Sequence, residues 1–110
     1  MLKKENRLRR IERNRSQNIF SSPIANIRVS EGEGESKFGF VVSKKISKKA
    51  VIRNRTKRIL RAFVENNLER IKTGKNFVFV SKKELDFSDK EEIFKDLEET
   101  LKKAKLWREE

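Results

Sequence analysis

Apolar and polar positions follow two periods along this chain, and the shorter period predicts strands. Over residues 24–29 the side chains of Ala25, Ile27 and Val29 share one side, as in a strand with one buried face. Residues 37–43 (KFGFVVS) form the more definite strand, because Phe and Val favour a pleated, half-buried surface. The EGEGES stretch at 31–36 is a turn. We therefore expect the two strands to pair as an antiparallel hairpin.

The second period, near 3.6 residues, predicts a helix from about Lys49 to Ile71. At about 100° per residue its apolar side takes up roughly a third of the circumference, and this side carries Ile52, Thr56, Ile59, Leu60 and Phe63. Gly74, within residues 72–76, ends this helix. The run FVFV at 77–80 is consistent with an interior strand. A strand, a long helix and another strand predict a crossover that makes the two strands parallel.

Further helices are predicted at both ends of the chain. Leu8, Ile11 and Ile19 lie at roughly helical spacing, which indicates a short helix over about residues 4–17, broken by Ser-Ser-Pro at 21–23. Ser88 and Glu91 have the spacing of a capping box. This box would begin a last helix over residues 89–107, whose apolar stripe is Ile93, Phe94, Leu97, Leu101 and Ala104. The whole order predicts one small α+β domain over residues 1–110, with helices packed against a single-layer sheet.

Charge changes this picture at residues 44–61 (KKISKKAVIRNRTKRILR). This segment holds nine positive residues and no acid, in a chain of net charge +12. The like charges of such a segment repel one another, and segments of this kind usually bind a polyanion. A helix face that is only solvated usually carries acids as well as bases. Arginine supplies bidentate donors to phosphate, and Asn54 could contact a base edge, a ribose hydroxyl or neighbouring backbone. The candidate binding residues are Lys44, Lys45, Lys48, Lys49, Arg53, Asn54, Arg55, Lys57, Arg58 and Arg61.

Composition narrows the chemistry that the chain could perform. It contains no Cys, His or Tyr, so the usual zinc sites, Ser-His-Asp triads and Cys-His pairs are unavailable, and we predict no catalytic side chain. The acids Asp86, Asp89, Glu91 and Glu92 do not match a calcium loop and are better explained as helix N-terminal charges, so we predict no metal site. Without cysteine, a long apolar run or an apolar signal segment, we expect a cytoplasmic protein with no membrane partner.

Residues 37–63 resemble the signature region of the bacterial ribonuclease P protein component. In that family a Phe/Val-rich strand leads into a Ser-Lys-Lys, a basic loop and an Arg-Asn-Arg helix. The matching positions here are Ser43-Lys44-Lys45, Ala50-Val51, Arg53-Asn54-Arg55, Lys57-Arg58 and Arg61. The likeness extends more weakly to Asn6-Arg7-Leu8, to the strand at 76–80 and to the last helix.

This resemblance implies a fold and a function. The family has a fold like domain 2 of ribosomal protein S5, with an unusual left-handed crossover around the basic helix, against the general right-handed rule. Its protein binds a large catalytic RNA, and together they cleave the 5′ leader from precursor tRNA. The RNA subunit, with bound Mg²⁺, performs the hydrolysis. The expected partners are therefore this RNA, in a 1:1 complex, and precursor tRNA, with Mg²⁺ bound mainly by RNA and substrate.

The resemblance also implies roles for particular residues. The family's basic helix faces the RNA subunit, and its leader contacts lie in a cleft between the first helix and the sheet, which implicates Arg13, Phe20, Phe40 and Ser43. The front of this chain departs from the family, because Arg13, Asn14 and Gln17 replace aromatic residues and only two strands are predicted before the basic helix, where the family has three. Phe20, at the end of the predicted first helix, is then the best candidate for an exposed stacking residue. We expect leader recognition to depend more on charge than on stacking.

Two alternatives share part of this pattern. A ribosomal-protein-like RNA-binding module would need the same basic helix without any associated cleavage. A helix that binds acidic membranes or an acidic protein is less favoured, because the apolar side of the segment is needed for the core. The phenylalanines at 38, 40, 77 and 79 are expected in that core and not on an open sheet face.

Overall fold

The computed structural model describes residue 2, residues 4–8 and residues 17–108. These residues form a four-stranded sheet and two α-helices, with single-turn 3-10 helices at Lys4–Asn6 and Phe87–Asp89. In chain order the main elements are β1 (Asn18–Ser21), β2 (Ala25–Glu31), β3 (Lys37–Val41), α1 (Ala50–Asn66), β4 (Lys75–Ser81) and α2 (Lys90–Lys103). Within the described ranges, neither helix has the length and apolar character required to cross a membrane.

The last strand of the chain lies inside the sheet, whose order is β1-β2-β4-β3. β4 pairs antiparallel with β2 and parallel with β3, so the predicted hairpin between β2 and β3 is wrong. The physical reason is that β4 is apolar on both sides. Phe77 and Phe79 are buried on one face and Val78 on the other, so the strand is most stable between two neighbours.

The connection from β2 to β3 consequently crosses the end of β4. The backbone N–H of Gly32 donates to the carbonyl of Gly74 at 3.0 Å. The Ser36 hydroxyl donates to the carbonyl of Lys72 at 2.7 Å and accepts from the N–H of Lys75 at 3.3 Å. The EGEGES stretch is therefore bound to the turn that precedes β4. In that turn Gly74 has a φ of +80°, a conformation that favours glycine.

The parallel pairing of β3 with β4 confirms the crossover predicted around the basic helix. The handedness of this crossover stays a prediction. α1 ends at Asn66 and not at Ile71, because Asn67 terminates it: its N–H donates to the Val64 carbonyl, and its side-chain amide donates to the Phe63 carbonyl at 2.8 Å.

The start of the last helix also differs from the prediction. Ser88 lies within the 3-10 helix and α2 begins at Lys90, so the predicted capping box between Ser88 and Glu91 does not form. The side chain of Asp86 caps this end instead, and its Oδ1 accepts from the N–H of Ser88 at 3.1 Å. The Asp86 carboxylate thus accepts a hydrogen bond from a backbone N–H at the start of the helical segment.

The front of the chain contains a strand that the sequence analysis missed. β1 is short and exposed, and it lacks the alternation that would predict it. The predicted first helix over residues 4–17 is wrong where the structure describes it. Lys4–Asn6 is a 3-10 turn, Arg7 pairs with Phe38 alongside β3, and Gln17 is not helical. Residues 9–16 of that prediction lie outside the described residues.

Both helices pack on the face of the sheet that carries the phenylalanines. The ring of Phe63 on α1 lies edge-on to Phe79 of β4, with centroids 6.5 Å apart. The same ring contacts Phe94 of α2 edge-on at 5.5 Å and stacks on Trp107 at 6.2 Å. The predicted apolar sides of α1 and α2 are confirmed, since their central residues belong to one buried cluster with Ile27 and the strand phenylalanines.

We expect replacement of Phe63 by alanine to lower the free energy of unfolding by about 3–5 kcal/mol, the range for deleting a buried aromatic ring. Urea denaturation followed by circular dichroism measures this change. The matched control is Phe87→Ala, at a half-exposed ring, which should change the free energy of unfolding by about 0.5 kcal/mol or less. Equal effects at the two positions would show that Phe63 does not occupy the centre of the core.

Candidate nucleic-acid interface

The outward side of α1 is the first part of the candidate interface. Its inward side is buried against the sheet and consists of Thr56, Ile59, Leu60, Phe63 and Val64. At about 100° per residue, Asn54 and Arg58 lie opposite that buried side, and both are exposed. Neither side chain forms a hydrogen bond or an ion pair with the part of the chain that the structure describes. These two side chains are therefore free to contact a ligand.

One flank of α1 faces β3 and carries Arg53, Lys57 and Arg61, all half-buried. The guanidinium of Arg61 lies 5.6 Å from the centroid of the Phe40 ring, a cation–π contact that fixes its direction. Arg53 donates from Nη1 to the carbonyl of Ser47 at 2.9 Å. Arg53 thus both contributes charge and holds the loop that precedes the helix.

The other flank of α1 is attached to the segment that follows β4. Arg55 donates from Nε to the carbonyl of Leu85 at 3.0 Å, and its Nη1 lies 4.0 Å from Oδ2 of Asp86. The buried hydroxyl oxygen of Thr56 accepts from the N–H of Leu85 at 3.1 Å. Arg55 is therefore already engaged within the protein, and its charge is partly balanced by Asp86. Replacing Arg53 or Arg55 would disturb the backbone as well as the charge.

The loop before α1 presents the remaining cations. Lys44, Lys45, Lys48 and Lys49 are all exposed, while Ser47 is buried and its hydroxyl oxygen accepts from the N–H of Lys49 at 3.3 Å. Lys49 is also the N-cap of α1, where no side chain caps the helix and the first turn holds no acid. The partial positive charge of the helix N-terminus adds to that of the lysines. Loop and helix together form one positive surface.

Asp86 borders this surface as an acid. The backbone N–H of Ser88 is the main reason that the pKa of Asp86 lies below the ordinary value of an aspartate. Desolvation opposes this decrease in pKa, and the positive charge of Arg55 adds to it. The carboxylate is therefore ionised near neutral pH and remains paired with Arg55.

The residues implicated in leader binding lie in different places. Phe20 is half-buried in β1, and not exposed at a helix end as predicted. It is in register with Ile27, which is in register with Phe79, so its ring lies on the helix-covered face and packs against the core. Phe40 stacks on Phe79 on that same face, with centroids 5.7 Å apart. Ser43 is exposed beyond β3, and Arg13 lies outside the described residues.

The opposite face of the sheet holds a cation that the sequence analysis did not single out. Arg28 is half-buried in β2, in register with Ile19 and Val78. Its Nε is buried and has no hydrogen-bond partner within the described part of the chain. The alternation of residues 24–29 placed Arg28 on the side opposite Ile27, but its burial depends on the neighbouring strands and could not be predicted locally.

Comparison with known proteins places this geometry in a family. The family model described as Ribonuclease P matches residues 1–105. The Ribonuclease P protein component of Microcystis aeruginosa is 36% identical over 76 residues, covering 69% of this chain and 63% of the relative. That of Fusobacterium nucleatum is 35% identical over 69 residues, covering 63% of this chain and 61% of the relative. The chain thus spans less than two thirds of the length of these curated relatives.

Solved structures agree at the level of the fold. The RNase P protein of Staphylococcus aureus superposes with a TM-score of 0.68 at 22% identity, over 84% of each chain. That of Thermotoga maritima gives a TM-score of 0.61 at 24% identity, over 86% of this chain and 84% of the other. The predicted α+β class with helices on one sheet is confirmed. The match to the family model over most of the sequence shows that this chain belongs to the ribonuclease P protein family.

The attachment of residues 85–87 to α1 can be tested through Thr56. Thr56→Val keeps the side-chain shape but leaves the N–H of Leu85 without its acceptor, which should lower the free energy of unfolding by about 1–3 kcal/mol. The matched control is Thr100→Val, because the Thr100 hydroxyl donates to the Asp96 carbonyl of its own helix, at 2.9 Å, and its loss orphans no backbone donor. Urea denaturation measures both. If Thr100→Val lowered the free energy of unfolding as much as Thr56→Val, that result would argue against the assigned hydrogen bond.

The cap at Asp86 predicts a dependence on pH. Because the folded state lowers the pKa of Asp86, ionised Asp86 stabilises the fold above the pKa of the unfolded chain, and this contribution is lost as pH falls through the folded-state pKa. Asp86→Ala should therefore lower the urea midpoint at pH 6, and the difference from the parent should shrink below about pH 4. A difference that stayed constant from pH 6 to pH 3 would contradict a role for the ionised carboxylate.

Proposed function

We propose that this protein is the protein subunit of ribonuclease P. It binds the catalytic RNA subunit through α1 and the preceding loop, in a 1:1 complex in the cytoplasm, and it binds the 5′ leader of precursor tRNA. It thereby assists the Mg²⁺-dependent endonucleolytic removal of the leader that gives the mature 5′ end of tRNA. The curated relatives carry the name Ribonuclease P protein component, which supports this assignment.

The observation that carries the proposal is the outward side of α1. The segment from Lys44 to Arg61 has no acid, and its outermost side chains, Asn54 and Arg58, have no partner among the described residues. Cations arranged in this way neutralise RNA phosphates and release counterions, so binding should weaken steeply with salt. Asn54 adds a donor and an acceptor at the centre of the surface, where a ribose hydroxyl or a base edge could be recognised.

We assign the hydrolysis to the RNA subunit and the Mg²⁺ mainly to RNA and substrate. The chain has no His, Cys or Tyr, and its described residues bring together no group of three or more acids that could hold a metal ion. In this proposal the protein raises the affinity for substrate and Mg²⁺ by reducing the repulsion between the phosphates of the two RNAs.

Cleavage of precursor tRNA by the ribonuclease P RNA of the same organism tests this function. At low Mg²⁺ the protein should stimulate cleavage, and replacing both Lys57 and Arg58 by alanine should reduce the stimulation. The same double variant should lower the slope of log affinity against log salt by about two, since two cations are removed. The matched control replaces Lys102 and Lys103 of α2 in the same way. This variant has the same change in net charge, but the two lysines lie away from the outward side of α1.

Absence of any stimulation at low Mg²⁺ would overturn the proposed function. Stimulation that both double variants reduced equally would show that total charge matters and the surface of α1 does not. Tight RNA binding and association with ribosomes, without any stimulation of cleavage, would favour the ribosomal-protein-like module instead.

A further inference from the structure

Exposed apolar side chains border the basic surface of α1. Among the described residues, the large apolar side chains with high exposure are Ile19, Val51 and Phe87, at 59%, 78% and 49%. Val51 lies one helical turn before Arg55 on the same side of α1. Arg55 in turn contacts Leu85 and Asp86, the two residues that precede Phe87. Val51 and Phe87 therefore lie on the same flank of the helix, and we call them the Val51/Phe87 patch.

The backbone around Phe87 is held on both sides. Before it, Leu85 is buried and its N–H and carbonyl are bonded to Thr56 and Arg55 of α1. After it, the N–H of Ser88 is bonded to the Asp86 carboxylate, and the 3-10 helix leads directly into α2. The ring is thus half-exposed on a rigid support. A ligand that covers it has little backbone entropy to overcome, which favours binding by a preformed surface.

The charges around the Val51/Phe87 patch indicate which kind of ligand would bind there. Arg55 and Asp86 balance one another at this point, so the patch itself attracts phosphate weakly. The neighbouring outward side of α1, with Arg58 and Asn54, is positive and polar. A positive surface beside a neutral aromatic ring matches the two parts of a nucleotide in an unpaired strand: the phosphate contacts the cations and the base stacks on the ring.

We propose that Phe87, together with Val51, stacks an unpaired nucleobase of the RNA that α1 binds. This inference rests on the RNA binding proposed above and adds a contact at Phe87, which lies outside the basic segment. A second copy of this chain could also cover an apolar patch. Association of two copies here would bring two chains of net charge +12 together beside their most basic surfaces, which electrostatic repulsion opposes.

Binding of the parent and of Phe87 variants to the ribonuclease P RNA tests the inference. Phe87→Ala should weaken affinity by about 5- to 150-fold, the range for losing one base–aromatic stack. The slope against salt should stay unchanged, because no charge is removed. Phe87→Tyr should retain the affinity of the parent. Phe87→Leu keeps apolar area but loses the ring, and it should bind like Phe87→Ala.

Two further measurements distinguish base stacking at Phe87 from self-association of the protein. Affinity for a fully paired RNA duplex should be the same for Phe87→Ala and the parent, because a duplex offers no unpaired base. Sedimentation of the free protein should show the same mass for both. A parent that is dimeric and becomes monomeric in Phe87→Ala, with unchanged RNA affinity, would assign the patch to self-association and overturn the proposal.

The Lys57/Arg58 double variant distinguishes failure of this inference from failure of the proposed function. If that variant lowers RNA affinity and the salt slope while Phe87→Ala binds within twofold of the parent, the stacking proposal is overturned and RNA binding by α1 stands. If neither variant changes binding, both proposals are overturned. Stacking is supported if Phe87→Leu loses as much RNA affinity as Phe87→Ala while Phe87→Tyr binds like the parent.

Discussion

The insertion of β4 between β2 and β3 is the interaction on which the rest of the structure depends. Seven residues of β4 pair with β2, and five of them also pair with β3. On one face of β4 the ring of Phe79 contacts Phe40 and Phe63, and through Phe63 it supports α1 and α2. A strand buried on both faces thus determines where the basic helix lies. The outward side of α1 is exposed because its inward side is committed to this core.

Arginine has two functions in the basic surface: it presents positive charge to a ligand, and it holds backbone segments of the protein in place. Arg58 has no partner among the described residues, whereas Arg53 and Arg55, two residues apart, hold backbone segments on opposite flanks of α1. An arginine can do this because its planar group has several donors, and a lysine could not reproduce the Nε contact of Arg55. The Arg-Asn-Arg motif therefore fixes the shape of the surface as well as its charge.

Much of this fold was predictable from sequence where the determining contacts are local. The buried side of α1 and the apolar run of β4 follow from short-range periodicity. Gly74 was predicted to end α1, but it forms the turn before β4, because Asn67 already terminates the helix. The position of β4 was not predictable in this way, because adjacent strands commonly pair and only tertiary packing shows that β4 separates them. In the candidate site, the ten polar and basic residues stood out through charge, but the contacts of Arg55 with Leu85 and Asp86 join residues about thirty positions apart. Phe87 directly follows Leu85 and Asp86, and its position beside α1 could not be predicted for the same reason.

The central position of β4 has a consequence for synthesis on the ribosome. The sheet cannot be completed until Ser81 has emerged, since β2 and β3 do not pair with each other. At about 5–20 residues per second, the nascent chain carries two strands with open edges and a strongly basic segment for seconds before their common partner appears. Folding of this protein is therefore governed by a late, non-local event, and the growing chain is most exposed to aggregation and to premature contact with RNA during that interval.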